Sequence, residues 1–149
     1  MKIACITLWQ PYASLLFASA PFAKVHETRT FPIPDKHMGE LVGIHAAKRP
    51  IRTLDQELQS LAVDAFGEDF ADTLPRGALV GLIRFNRWMS TDWAKPESDS
   101  DRVAGDWSPG RYAWRAEDHL KLSTPITLKG AQGWFWADVP EAEIGKALA

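Results

Sequence analysis

Leu8-Trp9-Gln10-Pro11-Tyr12-Ala13-Ser14-Leu15-Leu16, followed one short loop later by Lys24-Val25-His26-Glu27-Thr28-Arg29, is the stretch from which the fold can be read. Just before it, Ile3 to Leu8 is nearly all apolar, the pattern of a strand buried on both faces. Pro11 suits the first turn of a helix, where its missing N–H is not needed. Tyr12, Leu15, Leu16 and Ser19 then share a helical face, and Pro21 stops the run. Val25 to Phe31 reads as extended, and residues two apart on an extended segment share a side. Glu27 and Arg29 are therefore predicted on one side, with His26 and Thr28 on the other. A carboxylate beside a guanidinium fixes both groups, because the pairing is directional. An exposed pair of this kind stabilises little. Its surroundings decide whether Lys24, Glu27 and Arg29 form a site or a surface salt bridge.

Downstream, Leu41 to Ala46 reads as a second apolar strand whose exit carries His45, Lys48 and Arg49 ahead of Pro50. Thr53 and Gln56 have the spacing of a capping box. Leu54, Leu58, Leu61, Ala62 and Ala65 follow at helical period, and Gly67 closes that helix. The turn Pro75-Arg76-Gly77 leads into a strand from Ala78 to Trp88. Met89 to Gly110 is polar and rich in Asp and Ser, the composition of a mobile surface loop. Arg111 to Glu117 alternates, with Tyr112 and Trp114 on one face. Pro125 to Leu128 and Trp134 to Val139 read as further strands, separated by Lys129-Gly130-Ala131-Gln132-Gly133, and Glu141 to Leu148 as a terminal helix. The order predicts one α+β domain over residues 1–149, built on a small, strongly bent sheet or barrel with helices at its side.

Composition bounds the function. With 149 residues, 46% hydrophobic and 24% charged, the chain suits a globular fold with a real core. Its single cysteine, Cys5, sits in an apolar run and is expected to be a small buried side chain. No apolar stretch is long enough to span a bilayer and no signal-peptide core is evident, so a cytoplasmic protein with no membrane partner is expected. The net charge of -2 does not announce nucleic-acid binding, yet a local basic face can coexist with acidic residues elsewhere. His26, His37, His45 and His119 are scattered without ligand spacing, and no phosphate or dinucleotide loop is present, so no metal and no cofactor is expected. The seven tryptophans point to a small aromatic core, with Trp134 and Trp136 inside and Trp9, Trp107 and Trp114 as candidate exposed rings.

The ordered set of segments resembles the ASCH domain, the activating signal cointegrator 1 homology family within the PUA-like superfamily. It comprises L-W-Q-P-Y-A-S-L-L, K-x-x-E-x-R-T-F, G-x-L-V-G-I-H-A-A-K-R, L-P-R-G-A-L-V-G-L-I-R-F and K-G-A-Q-G-W-F-W, and spans about Ile3 to Val139. The resemblance implies a PUA-like β-barrel flanked by helices, with a cleft between barrel and helix of the kind that takes RNA or modified nucleosides. The family signature G-x-K-x-x-E-x-R is matched by Lys24, Glu27 and Arg29, while Phe22 stands at its glycine position. Some small bacterial relatives are amidohydrolases acting on acetylated cytidine, with a lysine and a threonine three residues later. Here Lys24 is followed at that spacing by Glu27, so the hydroxyl nucleophile is missing.

These readings make a nucleic-acid-binding domain the leading expectation, with RNA or another single strand as partner and a nucleoside-sized ligand in the cleft. Arg29 and Lys24 would meet phosphate, Glu27 would orient Arg29, and Lys48 and Arg49 with His45 would add phosphate contacts. Arg76 would extend the basic surface, and Trp9, Trp107, Tyr112 and Trp114 supply rings on which bases stack. The alternative is a ribonuclease or amidohydrolase acting on RNA or a modified nucleoside, with Lys24 and Glu27 as candidate catalytic residues. A third reading is a protein-interaction module or nuclease inhibitor whose acidic stretch from Glu97 to Asp106 mimics a phosphate backbone.

Overall fold

In the computed structural model, which describes residues 1–148, the elements follow in the order β1 (Lys2–Leu8), α1 (Tyr12–Leu15), β2 (His26–Arg29), β3 (Leu41–Ala46), α2 (Gln56–Phe66), α3 (Phe70–Thr73), β4 (Ala78–Ser90), α4 (Asp99–Val103), β5 (Tyr112–Thr127), β6 (Phe135–Asp138) and α5 (Glu141–Leu148). A 3₁₀ turn at Asp35–His37 precedes β3. The fold is α+β, with one mixed six-stranded sheet in the order β2-β5-β4-β3-β1-β6. β1 and β3 run parallel, with Thr7 opposite His45, and the remaining pairs are antiparallel. β1 lies between β3 and β6 and is covered on both faces, which is why its sequence is a continuous apolar run.

Side chains alternate between two cores. Ile6, Leu8, Val42, Ile44, Ile83, Phe85 and Trp114 pack on one side of the sheet. Ile3, Cys5, Leu79, Leu82, Leu122 and Val139 pack on the other, beneath Ile144 of α5. A third cluster joins Leu15 of α1 to Leu58 and Leu61 of α2 and to Ala104 just beyond α4. Register shifts bend the long β4–β5 hairpin between Leu79 and Gly81, Leu82 and Arg84, and Phe85 and Arg87. The hairpin is where the predicted bent sheet comes from.

The sheet does not close into the expected barrel. Among the described residues it ends at β2 on one side and β6 on the other. The outer edge of the short β2 is already occupied: Val25 and His26 N–H donate to the Asp101 carboxylate at 2.8 and 2.9 Å, and Asp106 N–H donates to Thr28 Oγ1 at 3.0 Å. The region expected to be a mobile polar loop is therefore structural: β4 runs on to Ser90, α4 follows, and Asp101 is fully buried.

Three smaller differences have local causes. α1 is one turn long because Leu15 C=O accepts from Lys24 N–H at 2.9 Å, folding the chain back. α2 is capped by Asp55, whose Oδ1 accepts from Leu58 N–H at 2.9 Å, and not by Thr53 with Gln56; the aspartate sits at the true boundary. The strand expected at Pro125 to Leu128 is the far end of the unbroken β5.

Candidate functional site

β2 presents Glu27 and Arg29 on one side, as its period of two predicts, and Lys24 joins them from the turn before the strand. Lys24 Nζ donates to Glu27 Oε1 at 2.7 Å, and Arg29 Nε donates to Glu27 Oε2 at 2.8 Å. The Lys24 and Glu27 side chains are 3% and 8% exposed, while Arg29 at 27% reaches toward solvent. Burial by itself would raise the Glu27 pKa, but the Lys24 and Arg29 charges and hydrogen bonds outweigh it and hold the carboxyl below its ordinary range. Glu27 is thus a fixed anion that orients both cations. Lys24 is correspondingly not a free point charge for phosphate: its ammonium is committed to Glu27 and lies 5.0 Å over the Tyr12 ring.

This trio floors a cleft of about 570 Å³ whose lining also includes Thr7, Trp9, Tyr12, Asp55 and Arg111. Burial, with Asp55 and Glu27 nearby, raises the Tyr12 pKa, so its phenol stays a neutral hydrogen-bonding group. Arg111 is tied to the wall, Nη2 donating to Thr28 C=O at 3.1 Å. Trp9 is 57% exposed at the lip, and the Arg49 guanidinium lies 3.8 Å from its ring.

Behind β2, His26 and Thr28 face the other way, again as predicted. His26 Nδ1 pairs with Asp101 Oδ2 at 2.8 Å, and Asp101 Oδ2 also accepts from Glu97 N–H at 3.0 Å. Burial would raise the Asp101 pKa; the His26 side chain and the N–H groups of Glu97 and His26 more than reverse this. Asp101 therefore anchors the loop to the strand that carries Glu27 and Arg29, and the supposed phosphate mimic is in part an internal clamp.

His45, Lys48 and Arg76 gather in a second, larger cleft of about 700 Å³, together with Lys129 and Gln132. His45 is 2% exposed and fully engaged, with Nδ1 3.1 Å from Thr7 Oγ1 and Nε2 2.9 Å from Leu128 O. It is a wall of the cleft and not a loose cation.

The remaining candidate rings fall outside both clefts. Trp114 is fully buried, its Nε1 donating to Phe31 C=O at 3.1 Å, because that face of β5 looks into the core. Trp107 Nε1 donates to Asp101 C=O at 3.1 Å and the ring edges onto His26, which makes it a buttress. Tyr112 is half-buried against the core and edges onto Trp88. The expectation of mostly buried tryptophans also fails. Trp9, Trp88, Trp93 and Trp136 are exposed, Trp136 at 65% because on the edge strand β6 Phe135 and Ala137 take the inward side. Tyr12, Arg111, Lys129 and Gln132 were missed as cleft residues. Tyr12 carried a signal, lying in the same helical turn that faces Lys24; Lys129 and Gln132 sat in a segment read only as a spacer between strands.

No family model and no curated protein sequence matches the chain. Its fold is similar to the crystal structure of ASCH from Zymomonas mobilis, with a TM-score of 0.50 at 15% identity, covering 97% of this chain and 92% of that one. A tyrosine-to-phenylalanine variant of the Zymomonas protein aligns with a TM-score of 0.50 at 16% identity over 99% of this chain and 97% of the other. The chain has the fold of an ASCH domain. On that ASCH fold Phe22, standing where the signature has glycine, does not obstruct the Lys24–Glu27–Arg29 cleft. It packs into the cluster of Leu15, Leu58 and Leu61 and lines a separate groove beside α2 and α4. Among the described residues no helix is long and apolar enough to cross a membrane, and no three His, Cys, Asp or Glu side chains converge as a metal site.

Proposed function

We propose that this chain binds single-stranded RNA, drawing one nucleotide into the cleft floored by Lys24, Glu27 and Arg29. The observation that carries the reading is the buried Lys24–Glu27–Arg29 ion chain at the base of a nucleotide-sized cleft with an exposed tryptophan at its lip. A buried ion chain is costly as a stabilising device, since desolvation cancels much of its attraction, so its position beneath an open cleft favours a binding role. In this reading Arg29, aimed by Glu27, meets the phosphate, the neutral Tyr12 phenol addresses the sugar or base, and Trp9 stacks on a base. Stacking of this kind is worth roughly 1–3 kcal/mol per base.

Fluorescence anisotropy with a labelled single-stranded RNA tests the proposal. Arg29→Ala and Trp9→Ala are each expected to weaken binding about tenfold, the latter falling within the range of a stacking contribution. Affinity unchanged in both variants would sink it. A second reading, turnover of RNA or of a modified nucleoside, is favoured by one observation: a buried ammonium, Lys24, is held 2.7 Å from Glu27 Oε1 beneath the cleft, where its charge would stabilise an anion developing in a substrate. Incubation with RNA and with N4-acetylcytidine separates the two. Product that vanishes in Lys24→Ala supports the enzyme, while binding without product supports the binding domain.

A further inference from the structure

One residue separates the two clefts. Thr7 turns its carbonyl toward Arg29 Nη2, 3.4 Å away in the first cleft, and its hydroxyl toward His45 Nδ1, 3.1 Å away in the second. The proton on His45 can be assigned. Leu128 O, 2.9 Å from Nε2, can only accept, so Nε2 carries a hydrogen, while Nδ1 meets the Thr7 hydroxyl. The imidazole is thereby locked as a partition whose orientation β1 and the chain beyond β5 both enforce.

The outer wall is seated as closely. A Cβ on Gly130 would lie 2.6 Å from His45 Cε1 and 2.9 Å from Thr7 Oγ1, so the backbone after β5 approaches the ring as only glycine permits. That seating brings Lys129 and Gln132 into the lining of the same cleft as Lys48 and Arg76. Arg76 Nη1 donates to Lys48 C=O at 3.0 Å, which ties those two residues together. The charge balance differs between the clefts. The first is lined by Glu27, Asp55 and Asp106 as well as by its cations. The second has Lys48, Arg76 and Lys129 in its lining and, among the described residues, no acidic side chain. A cavity of about 700 Å³ with a largely apolar floor, three cations and one side-chain amide suits a base with a phosphate attached.

We propose that the second cleft is a nucleotide subsite, taking the phosphate-linked neighbour of the nucleotide in the first cleft, so that one strand passes over Thr7. This rests on the RNA-binding reading above and adds to it a defined second contact and a minimum ligand of two nucleotides. Lys48 and Lys129 are exposed and Arg76 holds Lys48 only through its backbone, so replacing both lysines by alanine should leave the fold intact.

The experiment titrates wild type, the Lys48→Ala/Lys129→Ala double variant and Arg29→Ala with uridine monophosphate and with 5′-phosphorylated diuridylate, calorimetrically, with circular dichroism as a check on folding. The dinucleotide is expected to bind wild type at least about tenfold more tightly than the mononucleotide, because the second contact is made intramolecularly. The double variant should lose that gain and keep its mononucleotide affinity, whereas Arg29→Ala should weaken both ligands. Equal affinity of wild type for the two ligands, or a dinucleotide affinity untouched by the double variant, would overturn the second subsite. If instead Arg29→Ala changes nothing while the double variant does, the first-cleft reading fails and the second cleft stands. Absence of any binding to wild type removes both.

Discussion

Glu27 divides its two carboxylate oxygens between two cations, Oε1 to Lys24 and Oε2 to Arg29, and little solvent reaches any part of the arrangement except the arginine. Glu27→Gln would leave the buried Lys24 ammonium without its counter-charge, and breaking a buried pair from one side costs about 3–5 kcal/mol. Removing the buried pair, as in Lys24→Met with Glu27→Gln, should cost less than Glu27→Gln alone, because no buried ammonium is left orphaned and the cation that still loses its partner, Arg29, is partly solvated. Urea unfolding at neutral pH measures both, and a double variant less stable than the single one would contradict the account. The same carboxyl sets an acid limit, together with Asp101. Both titrate below their ordinary values of 4.5 and 3.8 when folded. A carboxyl depressed in the folded state contributes stability in full above its unfolded value, and loses it as pH falls through the folded one. Stability is therefore expected to hold from neutrality to about pH 5 and to decline below about pH 4. Asp101→Asn should be less stable at neutral pH yet lose less across that acid range; parallel acid profiles for variant and wild type would refute this.

At the scale of elements, β1 and β3 are held so closely that one glycine is obligatory. A Cβ on Gly43 would lie 2.6 Å from Cys5 Sγ and 2.8 Å from Leu79 Cδ1, both in the same core. Gly43→Ala is expected to destabilise by about 1–3 kcal/mol through overpacking, and Cys5→Ala should recover part of that loss by removing the sulfur it strikes. Additive losses in the double variant, read by thermal unfolding, would show that the two do not meet. The strands were legible in the sequence because burial on both faces leaves continuous apolar runs, as in Ile3 to Leu8 and Leu41 to Ala46. The helix α2 was legible from its period, although its cap lay two residues from the predicted one because Thr53 and Asp55 both suit the position. α4 was not legible, even though Ser98 caps it by accepting from Asp101 N–H at 3.0 Å. Its Ser/Asp composition matches that of a solvated loop, and what buries Asp101 is a set of backbone donors on β2, a strand remote in sequence. The Glu27–Arg29 pair was legible from its spacing, whereas Lys24, off the strand's period of two, joined it through the resemblance to the K-x-x-E-x-R signature. The second cleft was not, because the sheet order brings His45 to Leu128 across 83 positions of chain.

For the molecule as a whole the net charge is -2, so a nucleic acid gains nothing from the general field of the protein and must be held by local cations. The structure concentrates the relevant ones: Arg29 in the first cleft, and Lys48, Arg76 and Lys129 in the second, joined at Thr7. Lys24 is discounted because Glu27 neutralises it, and Arg111 because Asp106 and the Thr28 carbonyl occupy it. Arg76 is partly spent on the Lys48 carbonyl, which leaves about three phosphate contacts. Counterion release from a single strand changes log K by roughly 0.7 per contact for each tenfold change in salt, so a slope near −2 is expected for the logarithm of RNA affinity against the logarithm of salt. Lys129→Ala should lower that slope by roughly 0.7 with little change in which RNA sequences are preferred, since a phosphate contact carries no base information. Trp9→Ala should weaken binding while leaving the slope as it was, because stacking releases no counterions. A wild-type slope near zero would mean that the clefts hold an uncharged ligand. A slope several times steeper would mean that the strand runs far beyond them, across cations such as Arg84 and Arg87 on β4.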